Sequence, residues 1–135
     1  MRAQRLAVEA SVSPAHGAQA AVVGIAVTDR LEIVFDTNIN ARKAANLREN
    51  PRLAFVIGGL ILGDERTVQY EGDADVPSGA ELERLQEVYF EVWPDGRRRA
   101  KDPGLLYVRV RPTWIRYSDY NQYPPIIDEI DPREL

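Results

Sequence analysis

At 135 residues, 44% hydrophobic and 28% charged, the chain is sized and composed for one compact domain from Met1 to Leu135, not for disorder or two separate cores. Its formal net charge of -4 argues against general nucleic-acid affinity, which needs a basic field. The absence of cysteine and the single histidine, His16, exclude disulfides, thiolate zinc sites, cysteine nucleophiles and a multi-histidine metal centre.

Leu6, Val8, Ala10 and Val12 alternate with Ala7, Glu9, Ser11 and Ser13, the period of a half-buried strand. Pro14 to Gly17 predicts a turn. Ala20 to Val27 is almost wholly apolar and reads as a central strand, its Gly24 marking a bulge or a close approach by another group. Thr28-Asp29-Arg30 turns the chain into a third strand, Leu31 to Thr37, completing a meander of hairpins. Asn40 is placed to cap a helix over Ala41 to Glu49, which Asn50-Pro51 stops. Arg52 to Ile57 and Thr67 to Val76 read as strands on either side of Gly58-Gly59. Ser78 and Glu81 have capping-box spacing and open a second helix with Leu82, Leu85, Val88, Tyr89 and Val92 as its buried stripe. Trp93 to Gly96 ends it, and a polar loop from Arg97 to Gly104 leads to a strand over Leu105 to Arg111. Pro112-Thr113 predicts a turn into a last strand, Trp114 to Ser118, followed by an extended tail from Asp119 to Leu135. About seven strands with two inserted helices favour an α+β, mainly β, antiparallel barrel, closed or partly closed, over a doubly wound sheet.

The first helix carries an inverted charge order. A helix N-terminus is the positive end of the macrodipole, yet Arg42 and Lys43 occupy it while Glu49 lies at the other end. A bound anion would turn this arrangement favourable, since it would meet free backbone N–H groups, a bidentate Arg and a Lys point charge together. Thr37, ending the preceding strand, adds a hydroxyl donor. The other reading is that both cations simply reach water, and the charge pattern by itself does not separate the two.

Val34-Phe35-Asp36-Thr37-Asn38, then Ala41-Arg42-Lys43-Ala44, then Asn50-Pro51-Arg52-Leu53 resemble the central signature of the pyridoxamine 5'-phosphate oxidase-like flavin-binding split barrels. Glu65-Arg66-Thr67-Val68 followed by Gly72 is similar to a second element of that family. The resemblance implies a Greek-key split barrel of six to seven strands that forms a homodimer and binds flavin mononucleotide (FMN) at the subunit interface. It implies that Arg42 and Lys43 hold the cofactor phosphate and that Thr37 and Asp36 lie along the ribityl chain and phosphate. It also implies that the backbone of Val22, Val23 and Gly24 lies against the flavin, with Thr67 where a Gln often contacts the ring system.

The departures narrow the expected reaction. Val22 and Val27 stand where family oxidases carry Arg and Lys, and Ser118 stands where the true oxidases have an aromatic. No Arg-rich substrate motif follows it. The implied function is an FMN-dependent oxidoreductase of unknown small-molecule substrate, without support for pyridoxamine phosphate oxidation. The alternatives are a non-catalytic flavin-binding or sensing module and a reductase using deazaflavin (F420) in the same barrel. Haem ranks last because only His16 could ligate it. His16 itself reads as a solvated turn residue, Arg97 to Arg99 as a solvated charge run, and Trp93 and Trp114 as packing residues. With no apolar run of membrane-spanning length and no signal-peptide core at the N-terminus, a cytoplasmic protein without membrane partners is expected.

Overall fold

A computed structural model describes residues Met1 to Leu135. The strands are β1 (Leu6–Ser13), β2 (Gly17–Gly24), β3 (Ala26–Val27), β4 (Ile33–Asn38), β5 (Arg52–Gly58), β6 (Arg66–Asp75), β7 (Leu105–Asp119) and β8 (Ile126–Ile130). Helix α1 (Arg42–Glu49) lies between β4 and β5; α2 (Gly79–Val92) and the short α3 (Gly96–Arg99) lie between β6 and β7. The strands form one antiparallel sheet in the order β2-β1-β5-β6-β7-β4-β3, with β8 added to β7. The two ends of that path, β2 and β3, are separated in the chain by Ile25 alone. The sheet therefore curls back on itself, and its ends meet without pairing: a split barrel.

Alternation of side chains fills the barrel. Phe35, Phe55 and Tyr70 meet edge to face at centroid separations of 6.0 and 5.8 Å, amid Ile25, Ile33, Ile57, Val108, Val110 and Ile115. The Tyr70 hydroxyl donates toward the carbonyls of Leu31 and Val110, both at 2.9 Å, which satisfies its polar end. Outside β4 and β7, α2 buries Leu85, Tyr89 and Phe90 against Ala26, Val34 and Tyr107. Trp93, just past α2, donates from Nε1 to the Ile25 carbonyl at 3.1 Å, and Arg5 stacks on its indole. The close approach expected at Gly24 is made by this indole: a Cβ there would lie 2.8 Å from Trp93 Cζ2.

The central strand expected over Ala20 to Val27 is instead split at Ile25 into β2 and β3, which lie at the two ends of the sheet path. Five further sequence expectations change. The alternation of β1 holds, but the polar face points in: Ala7, Glu9, Ser11 and Ser13 are buried, whereas Leu6 and Val12 are exposed. The reason is that α1 covers the inner face with its own polar side chains, leaving the apolar face outward. Pro112-Thr113 is no turn, because β7 runs unbroken past it. Glu71 pairs with Trp114 and Gly72 with Pro112, so Thr113 is the extra residue of a bulge, a place where a strand tolerates proline. A Cβ on Gly72 would strike the Arg111 carbonyl there, which accounts for the glycine. The tail is not merely extended, since Ile126–Ile130 pairs with β7. Arg97 to Arg99 is not a free loop but the short helix α3, anchored by Arg97 to Glu87 and by Arg99 to Asp95 and Asp36.

The fifth change concerns the helix starts. Asn40 does not cap α1: the first helical residue is Arg42 and the cap position is Ala41. The Asn40 N–H is instead bound by Asn38 Oδ1 at 2.8 Å, a local turn that shifts the start by one residue. Ser78 does occupy the cap of α2, but its side chain makes no capping bond. Glu81 turns to Arg84 and Arg109, whose charge-assisted bonds outcompete a backbone N–H.

Candidate anion-binding site at the first helix

The first turn of α1 contains no acidic residue and no side-chain cap, so its N–H groups stay available. Arg42 is exposed, Lys43 is half-buried, and neither forms an ion pair within the chain. That isolation is notable because most other arginines are paired. Thr37, next to the helix entry, is buried on the inner side of β4. Free donors, two uncommitted cations and a helix N-terminus form a set suited to a phosphate or another tetrahedral anion.

The helix is held by a polar network that the sequence reading missed. Asn46 is fully buried; its amide donates to Ser11 Oγ at 3.1 Å and Gln19 Oε1 at 3.3 Å. Its carbonyl accepts from Ser13 Oγ at 3.0 Å and meets His16 Nδ1 at 3.0 Å. His16 is an exposed turn residue, as expected, and is also tied by Nδ1 to the helix, which leaves Nε2 uncommitted. The pattern Ser11-x-Ser13 facing a helical Asn is a legible polar stripe in retrospect, but it reads as a solvent-facing side without the helix above it.

The other expected positions fall elsewhere. Successive strand residues point to opposite faces, so the Asp36 side chain lies away from Thr37. It accepts from Arg99 Nη2 at 3.2 Å beneath α3, beside the Tyr89 hydroxyl. Burial raises the Tyr89 and Tyr107 hydroxyls above the usual phenol range, and the Asp36 charge adds to it. Val22 is exposed on the outer face of the sheet, while Val23 is buried in the barrel. Thr67 pairs with Gly58 on the outer face and rests its methyl over Gly59. Arg42 and Lys43 therefore open α1, Thr37 lies buried on the inner side of β4, Val22 and Thr67 share the outer face of the sheet, and Asp36 belongs to the α2–α3 side.

A cleft of about 850 Å³ between α2 and the β3–β4 hairpin contains none of these residues. Its lining is charged, and most of those charges are paired within it. Arg109 donates from Nε to Asp75 Oδ1 at 2.9 Å and from Nη1 to Glu81, and lies 3.8 Å from Glu32. Arg84 and Arg111 complete the set at 3.5 Å from Glu32 and 3.3 Å from Asp75. Hydrogen bonds from Arg109 hold the Asp75 carboxyl below the usual carboxylate range, and those from Arg84 do the same for Glu81. With the charges around Arg109 answered by one another, and only Arg30 and Glu91 of the lining left without an ion pair, this cleft offers less to an anion than the free donors at α1.

Residues 1–119 match the pyridoxamine 5'-phosphate oxidase family. No curated protein matches the chain in sequence. Among solved structures, the heme binding protein from Mycobacterium smegmatis superposes with a TM-score of 0.82 at 16% identity, over 96% of this chain and 54% of that one. HutZ, the heme storage protein from Vibrio cholerae, gives 0.70 at 12% identity, over 81% and 82%. A pyridoxamine 5'-phosphate oxidase-related, FMN binding protein from Nostoc punctiforme gives 0.67 at 12% identity, over 94% and 87%. At these identities the likeness is one of fold, and the chain spans about half the length of the mycobacterial protein.

Proposed function

The chain belongs to the pyridoxamine 5'-phosphate oxidase family, and on that footing we propose that it binds FMN, with the phosphate at the first turn of α1, and acts as a flavin-dependent oxidoreductase on a small molecule. The observation that carries this reading is the pair of unpaired cations, Arg42 and Lys43, on an uncapped helix start without acidic residues. Arg42 would grip the phosphate bidentately, Lys43 would add a point charge, and Thr37 a hydroxyl donor. When bound, the flavin supplies the hydride or electron transfer, and the chain's part is to hold and orient it. Pyridoxamine phosphate is not the proposed substrate. Val22 and Val27 offer no charge where the oxidases carry Arg and Lys, Ser118 offers no ring where they carry an aromatic, and Val27 and Ser118 are buried.

A homodimer belongs to the same proposal. Leu6, Val12, Val22 and Val56 are exposed on one outer face of β2, β1 and β5. Arg52, Glu71 and Arg116 border that face on β5, β6 and β7. An apolar centre with a charged rim suits a symmetric partner. Val22 and Thr67 lie on this face, so a flavin held by its phosphate at α1 of one subunit would meet them across the interface.

The test is direct. The purified full chain should carry or take up FMN, seen as flavin absorbance and quenched flavin fluorescence. Arg42→Ala and Lys43→Ala should each weaken binding by about 1.5–3 kcal/mol, the scale of a hydrogen bond to a charged group. An unchanged dissociation constant in both variants, or a stable monomer in sedimentation at micromolar concentration, counts against the site. Bleaching by a nicotinamide nucleotide separates an enzyme from a flavin-holding sensor.

A second reading, haem binding, is favoured by one observation. His16 is held through Nδ1 by Asn46, which leaves Nε2 oriented as a metal ligand's would be. A Soret band that His16→Ala abolishes, with no flavin uptake, would select it over the first.

A further inference from the structure

The inner face of β1 carries a group that the anion site as described does not use. Glu9 is 0% exposed, and neither of its carboxylate oxygens has a hydrogen-bond partner. Folds rarely retain a buried carboxylate with no partner, because the ionised form loses its hydration for nothing in return. Its neighbours across the ladder, Ala21 on β2 and Phe55 on β5, offer no polar atom of their side chains.

The remaining wall is α1. Asn46 sits over Ser11 and Ser13, and Lys43 lies one helical turn earlier, while Glu9 lies one strand period before Ser11 on the same face. The crossing that sets Asn46 above the two serines thus carries Lys43 toward Glu9. Burial pushes the Glu9 carboxyl up, and the positive charge of Lys43 is the chief opposing influence. The Ser11 hydroxyl opposes it more weakly, as a nearby hydrogen-bonding group whose geometry does not satisfy either carboxylate oxygen. No other charged side chain acts on it: Arg42 is exposed, and His16 is engaged beyond Ser13.

We propose that Glu9 is a buried proton acceptor coupled to the anion site, so that an anion engaging Lys43 is bound together with a proton taken from solvent onto Glu9. This deepens, and rests on, the reading of Lys43 as a phosphate ligand. In the empty site the Lys43 ammonium favours the ionised carboxylate. A bound anion offsets that ammonium and faces Glu9 with like charge, so the carboxyl's proton affinity rises. Only a proton moves, from water to a Glu9 oxygen, and the ligand keeps its bonds. By linkage, anion affinity weakens with rising pH between the empty-site and filled-site values of Glu9, by up to about tenfold per pH unit, and is flat outside that interval.

Sulfate is the probe of choice because its charge is constant from about pH 5 to 9, whereas a phosphate ester titrates near pH 6. Titration of the full chain with sulfate, and with FMN in parallel, should show affinity falling as pH rises in the wild type. Glu9→Gln should give a flat sulfate profile and bind more tightly than wild type at the alkaline end. Lys43→Ala should bind weakly at every pH. In the wild type, the 13C carboxyl resonance of Glu9 should titrate at higher pH when sulfate is added, a readout that stands if Glu9→Gln fails to fold. Binding that depends on Lys43 but keeps the same pH slope in Glu9→Gln, or a Glu9 resonance indifferent to sulfate, overturns the proton coupling alone. Failure of either probe to bind, or binding unaffected by Lys43→Ala, overturns the phosphate reading and the coupling with it.

Discussion

Two clusters of buried charge, one beside α2 and one beside α1, are built on opposite rules. Around Arg109, beneath α2, one buried guanidinium is answered by Asp75, Glu81 and Glu32, which Arg84 and Arg111 share. Beneath α1, Glu9 has no hydrogen-bonded partner and Lys43 forms no ion pair. The first cluster is complete as a structural joint between β6, β7 and α2. The second is complete only if something else supplies the missing charge. Saturation marks architecture, and deficit marks a place for a ligand.

The comparison can be broken most severely at Arg109. Arg109→Met removes the central cation and should cost about 3–5 kcal/mol in denaturant unfolding, since carboxylates gathered around it lose their counter-charge. The pH dependence of stability has a definite sign here. Asp75 and Glu81 have depressed values in the fold, so their contribution is present above the ordinary carboxylate range and lost as pH falls through the depressed values. In Arg109→Met that acid-side loss should shrink.

Asn46→Ala comes next. It leaves Ser11 and Ser13 short of a partner and unpins α1, with an expected cost of about 2–3 kcal/mol in unfolding. It should also raise hydrogen exchange at α1 without altering the β6–β7 ladder. Equal exchange in both regions would mean that the helix is not a separately anchored unit.

Glu9 gives the smallest and most diagnostic effect, because its sign is reversed. Its value in the fold is raised, so its contribution to stability is present below the ordinary carboxylate range and lost as pH rises through the raised value. Glu9→Leu should therefore stabilise the ligand-free protein at neutral pH by about 1–3 kcal/mol, the penalty of a buried unsatisfied group. A loss of stability in that variant would place Glu9 among the structural joints with Arg109.

How far the sequence reveals these features follows from what each depends on. Most strand and helix positions from Leu6 to Val92 follow local period and punctuation and stand within a residue or two of expectation; the exception is the apolar run Ala20 to Val27, which breaks at Ile25 where the sheet turns from one end to the other. Arg42 and Lys43 stand out because the macrodipole makes their position anomalous without any tertiary knowledge. Beyond Leu105 the local signals mislead. Pro112 reads as a turn because proline usually ends a ladder, and only the pairing with Gly72 shows that a bulge absorbs it. Ile126–Ile130 is short, with Asp128 and Glu129 among its five residues, and becomes a strand only because β7 offers an edge. The face of β1 could not be chosen from pattern, since polar residues turn inward only when a helix elsewhere brings Asn46 to meet them.

The bulge at Thr113 has a consequence for how this sequence can vary. Before it, the even-numbered Val108 and Val110 enter the barrel; after it, the odd-numbered Ile115 does. One strand thus carries two alternation phases, joined by a single residue. Losing that residue would merge the two phases into one: Pro112 and Trp114 would become neighbours still opposite Gly72 and Glu71, with Ile115 and Tyr117 still inward. Chain length at this point is therefore less tightly specified than side-chain identity in the core: the exposed Thr113 sets the local bend and twist of the strand and not the faces of its neighbours.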